Sequence, residues 1–118
     1  MEPPTYPFAT LAKDGFQLAV VEQGDTQRVF AAPLAPDEKR FAAQPGDVVK
    51  LIFEYREGKK ALGSGQEFDA ENMWVKITGY GDGYLIGKLD SSPQFTELLK
   101  SGDTVAVHPK HVIAFWHD

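Results

Sequence analysis

Three histidines, His108, His111 and His117, fall among the last eleven residues of this 118-residue chain, with Asp103 and Asp118 close in sequence. A metal centre needs three or four ligands converging at about 2 Å, held by further hydrogen bonds. His108-Pro109-Lys110-His111 can bring two imidazoles together across a turn, but no defined third ligand follows, and the spacing is not the helical His-Glu-x-x-His. These residues read as solvent-exposed turn histidines, and no metal is expected. Gly79, Gly81, Gly83 and Gly87 suggest a phosphate loop, yet neither Gly-x-Gly-x-x-Gly nor Gly-x-x-x-x-Gly-Lys-Ser/Thr fits them. They lie between strands, where no helix N-terminus can hold an anion, so hairpin geometry accounts for them. Glu67, Asp69 and Glu71 would share one face of a strand. A general acid needs a cleft and a shifted pKa, and nothing in the sequence implies one, so these carboxylates read as a solvated acidic edge. Ser64 lies in Gly63-Ser64-Gly65, which is not a nucleophile elbow. No catalytic, cofactor-binding or metal-binding residue is assigned, and the chain is not expected to be an enzyme.

The aromatic residues are more informative. Trp74 alternates with Asn72, Lys76 and Thr78, opposite an apolar face of Met73, Val75 and Ile77. A tryptophan on a polar strand face belongs either to a small second core or to a contact surface. Tyr80 and Tyr84 flank Asp82-Gly83. Together with Trp74 and with Glu67, Asp69, Glu71 and Asp82 they outline an aromatic centre with an acidic rim, the candidate partner-binding surface.

These positions need strands to hold them. Residues 16–22 and 27–32 read as a hairpin pair, and Pro36–Ala43 as a short helix with Pro and acids in its first turn. Val49, Leu51, Phe53 and Tyr55 alternate along a strand over 47–56. Further strands are predicted over 72–79, 84–89, 103–108 and 111–116. Asp82-Gly83 predicts a type I′ hairpin turn, with positive φ at both residues. Ser92-Pro93 predicts the start of a helix carrying Phe95, Leu98 and Leu99, closed by Gly102. Gly46-Asp47-Val48-Val49 and Gly102-Asp103-Thr104-Val105 repeat Gly-Asp-x-Val before an apolar strand. In both, Gly allows a left-handed exit and Asp caps the turn. The fold class expected is α+β: a curved antiparallel sheet, barrel-like, with one or two short helices. Residues 1–118 form one domain, with 1–10 an extended arm and 58–66 a flexible Gly/Ser-rich loop.

Composition narrows the partners. Seventeen acids against twelve bases give a net charge of −5, spread over both halves of the chain. With no run of Lys or Arg to neutralise phosphates, neither nucleic acid nor an anionic membrane is expected as a partner. A diffuse acidic surface suits a basic protein. The absence of cysteine excludes disulfides and thiolate chemistry. The N-terminus lacks the basic and apolar regions of an export signal, and no apolar run approaches the ~20 residues of a membrane span. The localisation expected is cytoplasmic.

The motifs together resemble the bacterial domain family DUF2314, whose function is unknown. They are Glu71-x-x-Trp74-Val75, Gly87-x-Leu89, Pro93, Gly102-Asp103-x-Val105 and the terminal Ile113-Ala114-Phe115-Trp116. The likeness covers roughly residues 40–118. Asp90-Ser91-Ser92-Pro93 replaces the family's Asn-x-Pro, and Phe115 replaces the Asp before the final Trp. The resemblance implies a fold and a bacterial origin rather than an activity. Some relatives look like small partners in bacterial conflict systems, which implies a non-catalytic protein-binding module of immunity or regulatory type. The alternative is a small-ligand-binding or enzymatic domain with its site near the aromatic strand face and the C-terminal histidines.

Overall fold

The computed structural model describes residues 8–22, 34–60, 67–93 and 99–116, with backbone alone for residues 12, 13, 56–60 and 67–69. Six strands form one antiparallel sheet: β1 (Phe16–Leu18), β2 (Val48–Lys60), β3 (Glu67–Tyr80), β4 (Leu85–Leu89), β5 (Thr104–Val107) and β6 (Val112–Phe115). Their order is β1-β2-β3-β4-β5, with β6 also on β2. Strand β2 is the axis. One of its edges pairs with β3 throughout, while the other is shared by β6 along Val49–Leu51 and by β1 along Phe53–Tyr55. The sheet curls into a half-barrel with a gap between β1 and β5, where a cavity of about 180 Å³ is lined by Phe16, Leu18 and Val105 among others.

Helix is scarce. It amounts to α1 (Leu11–Asp14), α2 (Asp37–Arg40) and a 3-10 turn over Pro109–His111. The fold is mostly β, so the expected α+β class overstates the helix. The predicted strand over 27–32 lies outside the described residues, as does most of the helix predicted after Ser92. Strands β2 and β3 run past their predicted ends. The stretch expected to be a flexible loop begins as strand, because Lys59 and Lys60 pair with Phe68 and Glu67 after a register shift beyond Glu54.

Period-2 alternation places the core where the sequence put it. Val49, Leu51, Phe53 and Tyr55 of β2 meet Met73, Val75 and Ile77 of β3, and Leu85 and Leu89 of β4 join them on the inner face. At about 25 cal/mol per Å² of apolar surface, this burial is the main term holding the sheet curled. Gly87 belongs to this packing and not to a hairpin, since a Cβ there would collide with Val75 Cγ1. A smaller core of Ala19, Val21, Ile52 and Ile113 covers part of the outer face.

The two Gly-Asp turns are copies of one device. Gly46 and Gly102 have φ of 100° and 95°. Asp47 Oδ2 accepts from Gln44 N at 3.0 Å, and Asp103 Oδ2 accepts from Lys100 N at 2.9 Å. Gly46 N donates to Ile77 O and Gly102 N to Leu89 O, so each turn is pinned to a neighbouring strand. The repeat is therefore one turn solution used twice, with Asp acting as cap in both. At the β3–β4 hairpin, Gly83 alone takes a positive φ of 83°. Asp82 keeps a negative φ, so the predicted type I′ turn does not form: glycine carries the whole left-handed requirement.

Candidate functional site

A single bulge decides which aromatic residues meet. Ile77 pairs with Gly87, but Gly79 pairs with Ile86, so Thr78 is an extra residue in β3. Beyond the bulge, Tyr80 pairs with the inward-facing Leu85 and lies on the core side of the sheet. Trp74, next to the buried Val75, lies on the outer side. The two are on opposite faces of one strand.

Tyr80, 62% exposed, stands at the rim of a groove of about 310 Å³, with Phe41, 54% exposed, on the same groove. Gly81, Gly83, Tyr84 and Pro109 are among its other lining residues. The Tyr84 ring rests on Gly81, where any Cβ would fall on the ring itself. Phe8 meets Tyr84 edge-on at 6.0 Å, so the described end of the predicted N-terminal arm is packed. Asp82 is exposed at the hairpin tip.

The histidine turn forms the far wall, and here the expectation of solvent-exposed rings fails. His111 is 5% exposed, and His108 is half-buried. Phe8 packs edge-on against both. Each ring caps the 3-10 turn: His111 Nδ1 accepts from His108 N at 2.9 Å, and His108 Nδ1 accepts from Lys110 N at 3.0 Å. With Nδ1 accepting, the neutral proton sits on Nε2. Burial above all, then the charge of His108 and Arg40, lowers the His111 pKa to about 4. Burial, then Lys110 and Arg40, also lowers that of His108, partly opposed by Glu22. Among the described residues no three His, Asp or Glu side chains are placed to hold a metal.

Arg40 locks this wall and was not singled out in the sequence. Within Asp37-Glu38-Lys39-Arg40 it resembles any solvated helix cation, yet it is fully buried. Its guanidinium donates to the carbonyls of Val21, Lys110 (2.6 Å) and Pro109 (3.3 Å) and pairs with Asp37 at 2.9 Å. The rigid fork of donors lets one side chain join α2, the 3-10 turn and the segment after β1.

The candidate residues named from sequence therefore separate. Tyr80 and Tyr84 line the groove, with Asp82 exposed at the hairpin tip beside it. Glu71 faces inward and its Oε1 accepts from Tyr55 OH at 2.6 Å. Burial and that carboxylate raise the Tyr55 pKa. The side chains of Glu67 and Asp69 lie outside the described residues. Trp74 meets Trp116 edge-on at 5.1 Å across the outer face, bordering a cleft of about 280 Å³ with Val48 and Asp90.

The molecule is thus a small half-barrel domain with an aromatic groove at one rim and a tryptophan cleft on its outer face. Residues 13–117 match the family model described as "Uncharacterized protein conserved in bacteria (DUF2314)", and the chain belongs to that family. The match reaches further towards the N-terminus than the motifs alone indicated, taking in β1. No curated protein and no solved structure matches the chain.

Proposed function

We propose that the protein is a non-catalytic protein-binding module, of the immunity or regulatory kind, that engages a basic partner at the groove rim. The observation that carries this reading is the exposure of Tyr80 and Phe41 on one groove, beside a hairpin tip bearing Asp82. Large exposed aromatics around a groove are the usual anchors of a protein interface, and a stable contact needs about 800 Å² per partner around them. Asp82 and the net charge of −5 favour a positively charged partner and a salt-sensitive association rate. The groove walls are already braced by Gly81, Phe8 and the Arg40 clamp, so little ordering is needed on binding.

The test uses the chain as bait for the products of genes adjacent to its own. Tyr80→Ala is expected to weaken capture by about tenfold or more. Asp82→Lys is expected to slow association and flatten its salt dependence. Parent-like capture by both variants, each with parent-like melting, removes the groove as the contact surface.

A further inference from the structure

The outer face of the sheet gathers charge that is dispersed along the sequence. Register places Trp74 between Lys50 of β2, its direct partner, and Asp90, whose N–H donates to Trp74 O at 2.8 Å. Two residues along, on the same face, a second row runs Val48, Lys76, Lys88 and Thr104. Trp116 reaches this face from the end of β6, tied by its N–H to Val48 O, and is 56% exposed. In a chain of net charge −5, three lysines surround a pair of perpendicular indoles and one carboxylate.

Two features point to an anion. Lys76 and Lys88 are directly opposite each other and exposed, and among the described residues neither forms an ion pair. Like charges in that position destabilise a sheet unless something offsets them. Lys50 Nζ lies 4.8 Å from the Trp74 ring centroid, so it packs on the aromatic and leaves the Lys76–Lys88 pair as the open positive site. The neighbouring cleft of about 280 Å³ is walled by Trp74, Trp116 and Val48 with Asp90 at its border. Flat apolar walls favour a planar ring, and a carboxylate accepts from an exocyclic amine.

We infer that this face binds a nucleoside phosphate, with an amino-bearing base stacked at Trp116 and the phosphate on Lys76 and Lys88. The shared chemistry of base and phosphate fits a free nucleotide and a nucleotide within a single strand alike. The inference is independent of the groove, which lies on the other side of β3.

Trp74 and Trp116 are the chain's only tryptophans, so tryptophan emission, excited selectively over tyrosine, reports this cleft alone. Adenosine monophosphate is expected to change the emission saturably, while ribose 5-phosphate leaves it unchanged. Lys76→Ala combined with Lys88→Ala should weaken adenosine monophosphate by about tenfold, the loss expected for a charge-assisted contact, and leave adenosine unaffected. Trp116→Ala should abolish the response, and Tyr80→Ala should preserve it. A single-stranded oligodeoxyadenosine that binds tighter per site than the mononucleotide identifies the strand as the source, and equal affinity identifies the free nucleotide. No saturable change with either ligand up to ~10 mM, the weakest range that counts as specific binding here, overturns the inference. So does an undiminished response in the double lysine variant, its substitutions at exposed strand positions, once parent-like melting confirms its fold.

Discussion

His111 shows what burial does to a residue that the sequence presents as an ordinary turn histidine. Its ring is held neutral because Nδ1 accepts the His108 N–H and because charging it would desolvate a cation beside Arg40. The unfolded chain takes up this proton near pH 6.5, whereas the folded protein takes it up only near pH 4. Stability is therefore full above pH 6.5 and falls as the pH drops towards 4, by about 2 kcal/mol at pH 5 from this one group. The shift at His108 acts in the same direction. Urea unfolding at pH 7 and pH 5 should show the loss, and His111→Gln, which keeps an acceptor but no titrating ring, should remove most of it. An unchanged pH dependence in the variant would assign the loss to carboxylates elsewhere. Arg40 obeys the same physics from the other side. Its burial is tolerable because three carbonyls and one carboxylate replace its water.

At the scale of the element, β3 does two jobs by changing face once. The bulge at Thr78 keeps Trp74 outward and turns Tyr80 inward, so one strand serves both the cleft and the groove. Alternation counted from Trp74 puts Tyr80 beside it, because a one-residue insertion inverts every later side chain. No residue type announces the bulge: Thr78 is an ordinary strand residue. The β3–β4 ladder also contains the Lys76–Lys88 pair, which works against the sheet. Lys88→Glu should convert repulsion to attraction and raise stability by about 0.2–1 kcal/mol, read from the denaturation midpoint at low salt. If the same variant also loses the fluorescence response to adenosine monophosphate, the repulsive pair is maintained for binding and not for folding. A destabilised variant would show that Lys88 supports the sheet in its own right.

The whole molecule is organised by β2, flanked by strands on both edges, while among the described residues β5 pairs with β4 alone. Amide hydrogen exchange should be slowest at Val49, Leu51 and Phe53, which open only with the whole sheet, and faster through Thr104–Val107 at the sheet edge. Uniform protection across the two would mean that the half-barrel opens as a single unit. Much of this frame was legible beforehand. Apolar alternation located the inner faces of β2 and β3, and the Gly-Asp repeats located two turns, because both signals are local. Period-2 spacing needs only the chain's own geometry, and a positive φ needs only glycine. The continuation of β2 to Lys60 and the burial of His111 were not legible, since a distant strand decided the first and contacts from Phe8 and Arg40 the second. The same holds for function. Local sequence determined which aromatic and charged residues exist, and that tyrosines would flank a hairpin. Tertiary structure alone decided that Tyr80 parts from Trp74, that Arg40 is buried and that lysines 26 and 12 residues apart in the chain form one patch. A side chain's neighbours across a sheet are fixed by register, and register is set jointly by every strand that shares the core.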